Sequence, residues 1–205
     1  MRYGLDTKVE QIDDHLLNKL SEFELQKSFA YGTKKFRSSK ISWINDESIR
    51  KSFLNIAQQV NLDAKWFLNI FHCEPLQMTF YDEGDYYCWH VDQGLPVLYS
   101  DNNFLGCRKI SMTLFLSDPE EYDGGEFDIE VGCPLLEDRV HTYKERKGTA
   151  IFFKSDSVSI NDIFLLIEAP IFCIRTVGAH GYATLFIFLD ISNIYKPLPN
   201  DSLLI

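Results

Sequence analysis

The chain is predicted to be an α+β protein, with N-terminal helices packed on a double-sheeted β-barrel or jelly roll. Helical periodicity is confined to the first third of the sequence. From residue 74 onward, at least seven short runs alternate with the two-residue period of strands. A hydrophobic content of 45% over 205 residues supplies a substantial core. One domain spanning 1–205 is expected, helical to about residue 70 and jelly roll over about 74–192.

Val9, Ile12, Leu16, Leu17 and Leu20 recur at helical spacing, so residues 9–27 are predicted as an amphipathic helix. Ile49, Phe53, Ile56, Ala57 and Val60 repeat the pattern over 46–60, with Asp46 placed to cap the first turn. Between them, RSSKISWI reads as a short strand. The later strands are LQMTFY, DYYCWHV, KISMTLFLS, GEFDIEV, GTAIFFK, IFCIRTV and YATLFIFLD. Gly, Pro, Asn and Asp fill most gaps between them. Gly124, Gly125 and Gly148 mark turns in this scheme.

A net charge of -10 and a pI near 4.9 argue against nucleic acid as a partner, because phosphate binding needs clustered Lys and Arg. The small basic cluster Lys34, Lys35, Arg37 and Lys40 reads as a solvated face. Five cysteines at 73, 88, 107, 133 and 173 form no CxxC pair, which suits structural thiols in a reduced compartment. The first residues lack an apolar signal core, and the run Ile163 to Ile174 is too short and too interrupted to span a bilayer. A cytoplasmic protein with no membrane partner is expected.

The chemistry concentrates in Tyr81 to Asp92, YDEGDYYCWHVD. His90 and Asp92 stand two residues apart at the close of a strand-like segment, a spacing that turns both to one face. An imidazole and a carboxylate so placed suit two positions of a two-His-one-carboxylate iron site. A core histidine bonded to an exposed aspartate is the alternative that the pair alone leaves open.

Several motifs in a fixed order restrict the choice. RSSKISWI is followed by Asn61 with WFLNI, then EPLQMTFYDEGDYYCWHVD, RKISMTLFLSDPEEYDGGEF, KGTAIFFKS and finally TLFIFLD. From about Arg37 to Leu189 this resembles the prolyl-hydroxylase-type 2-oxoglutarate- and Fe(II)-dependent dioxygenases. The resemblance implies a double-stranded β-helix, with His90 and Asp92 as iron ligands and Tyr81 and Tyr87 beside the cosubstrate. It also implies Fe(II), 2-oxoglutarate as cosubstrate, and ascorbate as an accessory reductant. The substrate is then a peptide or a small molecule, with peptidyl proline as the family-level expectation.

The second half of the motif set departs from that pattern. Counted from Gly148, the family's distal His falls near Ser159; counted back from Gly181, it falls at Cys173. The two registers differ by 14 residues, as an insertion or a sequence error over 155–182 would produce. The family's cosubstrate Arg is replaced by Ala183. Cys173 is therefore the stand-in expected for the third metal ligand, and Arg175 for the carboxylate partner. His180, in the turn GAHG, ranks below Cys173, since the resemblance implies that this turn lies away from the metal end; His15, His72 and His141 have no supporting motif. Two readings follow: a working dioxygenase with a rearranged distal half, or a jelly-roll pseudo-enzyme that acts as a binding module.

Overall fold

The computed structural model describes residues 7–23, 37–90, 92, 97–99, 104–130, 140–155, 171–175 and 182–192. The chain opens with strand β1 (Thr7–Gln11) and helix α1 (Asp14–Ser21), then β2 (Arg37–Ser38), β3 (Lys40–Ile44) and α2 (Glu47–Asp63). Next come β4 (Ile70–Cys73), β5 (Leu76–Tyr81), β6 (Tyr86–His90), β7 (Val97–Tyr99) and β8 (Phe104–Phe115). After a 3-10 turn at Pro119–Glu121 follow β9 (Glu126–Glu130), β10 (Val140–Tyr143), β11 (Thr149–Lys154), β12 (Ile171–Arg175) and β13 (Tyr182–Ser192).

Two antiparallel sheets result. The larger runs β1-β11-β8-β13-β5-β3, with β4 beside β13 and β7 beside β8. The smaller runs β10-β9-β12-β6-β2. Helices cover the outer face of the larger sheet: Leu16, Leu20, Phe53, Ala57 and Val60 join Met78, Met112, Leu114, Ala150 and Phe152 in one core. A second core of Tyr81, Phe115, Phe127, Ile129, Ile151 and Phe153 lies between the sheets. On β11 the side chains alternate between the two cores, so TAIFFK reads as an unbroken apolar run because both its faces are covered. This is the layered arrangement expected of a jelly roll.

The second helix forms with Asp46 as its cap, the carboxylate accepting from the Ile49 amide at 2.8 Å. Buried Asn61 closes its C-terminal end by exchanging two hydrogen bonds with the Leu68 backbone, at 2.8 and 2.9 Å. The first helix is shorter than its periodicity predicts. Residues 7–11 instead pair with β11 along the sheet edge, and Asp13 caps a helix that ends at Ser21. Backbone pairing to a waiting edge outweighs the helical spacing of Val9, which is half-exposed. RSSKISWI forms two strands: β2 joins the smaller sheet and β3 the larger, with Ser39 at the crossover.

Candidate functional site

The turn YDEGDY aims β6 back along β5. Gly84 takes φ +80°, a left-handed conformation that costs glycine little, and the Asp85 carboxylate accepts from the Asp82 amide at 2.9 Å. The other Asp85 oxygen accepts from the Ser38 hydroxyl, tying the turn to β2. β6 then pairs with β12, Phe172 opposite His90 and Ile174 opposite Tyr87. Cys88 and Trp89 of β6 thus stand against Cys173 alone of β12, a bulge that brings Tyr87 and His90 together. Their rings stack with centroids 3.8 Å apart and 18° between planes.

His90 Nδ1 lies 2.9 Å from the Cys88 carbonyl oxygen. A carbonyl only accepts, so Nδ1 carries a proton in this contact, and it is Nε2 that is turned toward Asp92 and would offer its lone pair to a metal. That atom is 3.3 Å from Asp92 Oδ1. Asp92 is buried and lies in a bend just past the end of β6 rather than on the strand itself. Two electron-pair donors converging in this way suit a cation shared between them, and the backbone bond on the far ring nitrogen is the usual brace of a metal-binding imidazole. Arg108 braces the aspartate. It grips Glu74 with two hydrogen bonds of 2.6 and 2.7 Å and donates a longer one, 3.4 Å, to the Asp92 carbonyl.

Tyr81 is fully buried between the sheets. Burial pushes its hydroxyl pKa well up, against the lowering charge of Arg37, so the phenol is neutral. Burial raises Tyr87 as well, again opposed by Arg37. The Arg37 guanidinium sits 4.4 Å from the centre of the Tyr87 ring. It donates to Ser39 Oγ at 2.7 Å and Thr79 Oγ1 at 3.0 Å. With the Gln77 amide oriented to satisfy this network, its oxygen accepts from both terminal guanidinium nitrogens, at 3.1 and 2.8 Å.

His90, Asp92, Tyr81 and Tyr87 therefore fall in one region. Cys173 and Arg175 lie on the neighbouring strand β12, where the backbone register gives the face of each position. Directly paired residues share a sheet face. Phe172 and Ile174 pair with Ile129 and Phe127, which are core residues, whereas Cys173 and Arg175 pair with Asp128 and Glu126. Asp128 accepts from the Thr142 hydroxyl on the exposed side. At the level of His90 the β12 residue is Phe172, which has no donor atom to offer a metal. His141 is two strands beyond β12, so His90 and His141 stand about 14 Å apart at ordinary strand spacing. His15 and His72 lie on α1 and β4, outside this region. Among the described residues no group of three His, Cys, Asp or Glu surrounds one point. The donors present fit two positions of a facial triad. Ser159, His180 and Gly181 lie outside the described residues, as do Lys34, Lys35 and Cys133.

Ala183 pairs with Phe80, while its neighbours Tyr182 and Thr184 pair with the barrel-facing Tyr81 and Thr79. The position counted from Gly181 thus falls on the helix-side face of β13. The buried Arg37 is the residue that sequence reading missed. RSSKISWI contains it, but its sheet change at Ser39 leaves no mark in the alternation, and a cation beside three other basic residues reads as surface.

Residues 76–182, just over half of the chain, match the family model of the 2OG-Fe(II) oxygenase superfamily. A PKHD-type hydroxylase of Acaryochloris marina is 41% identical over 85 residues, 40% of this chain and 32% of that protein. The chain spans about a third of the length of the curated relatives it matches. Among solved structures, a viral collagen prolyl hydroxylase from Paramecium Bursaria Chlorella virus-1, in its 2OG complex, superposes with a TM-score of 0.65 at 20% identity. That match covers 92% of this chain and 97% of that one. A prolyl hydroxylase from Trichoplax adhaerens, in complex with a hypoxia inducible factor oxygen degradation domain peptide fragment, gives 0.55 at 12% identity, over 90% and 83% of the two chains. These likenesses establish the jelly-roll oxygenase fold, and the family match shows that the chain belongs to the 2OG-Fe(II) oxygenase superfamily.

Proposed function

We propose that this chain is a 2-oxoglutarate- and Fe(II)-dependent dioxygenase that hydroxylates a peptide, with peptidyl proline as the substrate class. The observation that carries the reading is the convergence of His90 Nε2 and Asp92 Oδ1 at 3.3 Å, with the far ring nitrogen braced by a backbone carbonyl. His90 and Asp92 would hold the iron. Bound iron, with 2-oxoglutarate and dioxygen, supplies the oxidising power that hydroxylates a C–H bond while the cosubstrate becomes succinate and CO2.

The chain's own residues orient and shield. Tyr87 fixes the plane of the His90 ring by stacking on it, and Arg108 holds the Asp92 backbone. Tyr81 and the apolar residues between the sheets exclude water from the site's inner wall. The Trichoplax relative's peptide complex supports a peptide as substrate.

A second reading is favoured by Phe172, which stands where the opposite strand reaches the level of His90. It is a jelly roll that binds metal weakly or not at all and serves as a binding module. Anaerobic titration with Fe(II) or Mn(II) separates the two. Stoichiometric binding, lost in a His90→Ala, Asp92→Ala double variant, together with succinate release from 2-oxoglutarate, is expected of the dioxygenase. Equal metal content in both proteins would select the binding module.

A further inference from the structure

We propose that Cys88 and Cys173 are a redox pair: they close a cross-strand disulfide between β6 and β12, and closing it weakens metal binding at His90 and Asp92. The disulfide stands on the register of the two strands. Its effect on the metal rests on the functional reading above.

The first argument is position. Phe172 pairs with His90 and Ile174 with Tyr87, so Cys173 stands against Cys88 and Trp89 at the bulge. Opposite residues of antiparallel strands have Cα atoms about 4.5–5.5 Å apart, within the roughly 4.4–6.8 Å that a disulfide spans. Cys73 on β4 and Cys107 on β8 pair instead with Leu189 and Ile191 of β13.

The second argument is the face on which the pair lies. Tyr87 packs against the core between the sheets, whereas Trp89 is 40% exposed and the Cys88 thiol is half-buried. On β9 the residue paired with Cys173 is Asp128, whose carboxylate accepts from Thr142 on the exposed side. These positions belong to the solvent side of the smaller sheet, where a small oxidant reaches them. Exposed disulfides are the labile, regulatory ones, which suits a chain whose cysteines otherwise fit a reduced compartment.

The third argument is the link to the metal-binding pair. The Cys88 carbonyl accepts from His90 Nδ1 at 2.9 Å. A disulfide holds its two Cβ atoms about 3.5–4.5 Å apart, which draws the Cys88 backbone toward β12 and its carbonyl away from the imidazole. Losing an outer partner of this kind commonly lowers metal affinity by about 10- to 100-fold. By linkage, bound metal opposes the disulfide by the same factor.

The oxidant is a small-molecule disulfide such as oxidised glutathione. One cysteine sulfur attacks it, forming a mixed disulfide and releasing one glutathione thiol. The second cysteine then displaces the other glutathione. Two protein S–H bonds and one glutathione S–S bond are exchanged for one protein S–S bond and two glutathione thiols.

The test equilibrates the full chain at several ratios of reduced to oxidised glutathione, blocks remaining thiols with iodoacetamide and maps linked peptides by mass spectrometry. A peptide joining Cys88 to Cys173 should grow with the oxidised fraction, disappear with dithiothreitol and be absent from Cys173→Ser. Linkage through other cysteines in its place overturns the proposal, and so do glutathione adducts on Cys88 without the link. After removal of glutathione, the linked protein should bind Mn(II) at least about ten-fold more weakly than reduced wild type, and dithiothreitol should restore the affinity. Equal affinity in the two states overturns the proposal. Reduced Cys173→Ser should bind Mn(II) as reduced wild type does; a loss there would put the thiol on the metal and overturn the pairing with Cys88. Should Cys173→Ser fail to fold, Cys88→Ser takes its place in the mapping. If wild type binds no Mn(II) in either state, the metal reading is what has failed, and the mapping alone decides the disulfide.

Discussion

The Tyr87 ring lies flat on the His90 imidazole, although the two are three residues apart on a strand whose side chains alternate every two. The bulge against β12 makes this contact, and it turns the His-x-Asp motif from a sequence coincidence into a braced geometry. His90 is held on two sides, by the Tyr87 face and by the Cys88 carbonyl at Nδ1, with Nε2 turned toward Asp92.

Removing the stack should therefore loosen the metal-binding pair while leaving its donor atoms in place. Aromatic pairs contribute about 0.5–1.5 kcal/mol beyond their buried area. Tyr87→Leu is expected to weaken Mn(II) binding by roughly 2- to 12-fold. Tyr87→Phe should keep wild-type affinity, because the ring remains. Electron paramagnetic resonance of free Mn(II) measures both, and equal losses in the two variants would mean that the hydroxyl matters and the stack does not.

Arg108 and Glu74 make a comparable claim one step further out. Hydrogen bonds to charged groups are each worth about 1.5–3 kcal/mol, and this pair shares two of them with Glu74 largely buried. Arg108→Met should lower the unfolding free energy by about 2–3 kcal/mol in a urea titration. Combined with Glu74→Gln the loss should be clearly less than additive, since both changes break one interaction. Because Arg108 also holds the Asp92 carbonyl, Mn(II) affinity should fall in Arg108→Met more than in Glu74→Gln. If stability falls and metal affinity does not move, Arg108 belongs to the fold alone.

Much of this was legible in the sequence where local pattern and tertiary demand agree. Helix α2 and strands β5, β6, β8, β9, β11, β12 and β13 correspond to runs with the right period, and Asp46 caps where a capping residue was expected. Strands β1, β4, β7 and β10 were not predicted, being short segments that owe their conformation to a partner strand. His90 and Asp92 stood out by spacing, and Tyr81 and Tyr87 by the motif around them. Arg37 did not, since the sheet change at Ser39 is a three-dimensional event. For Cys173 and Arg175, counting from Gly181 gives the strand, and the ladder with β9 adds which residues they pair with, Asp128 and Glu126.

The buried phenols set an alkaline limit. Tyr122 is pushed up to about 12, first by burial and then by the carboxylates of Glu126, Asp118, Glu120 and Glu145; Tyr81 is raised by burial. In the unfolded chain these groups lose their protons near pH 10, while the folded chain retains them. Above that pH the folded state binds more protons than the unfolded one, so stability is full below about pH 10 and declines as pH rises toward the folded values. Urea unfolding between roughly pH 8.5 and 11 should show this decline, and Tyr122→Phe should make it shallower. An unchanged slope in that variant would assign the alkaline loss to other groups.

The register of β12 yields the sharpest test of the distal half. Phe172 pairs with His90 on one side and with the buried Ile129 on the other, whereas Cys173 pairs with Asp128, which bonds outward to Thr142. If the third metal position lies on the strand next to His90, the residue to change is Phe172. Phe172→His should then strengthen Mn(II) binding by about ten-fold or more, since even residues one shell removed from a metal commonly alter affinity by 10- to 100-fold. Cys173→His, on the other face of the strand, should leave affinity where it was. Both proteins must first show wild-type unfolding transitions, because a change of size and polarity within a strand can itself alter stability. If Cys173→His strengthens binding and Phe172→His does not, β12 lies one residue out of the register described, and the thiol position returns as the distal site. If neither responds, the third position is supplied from outside β12.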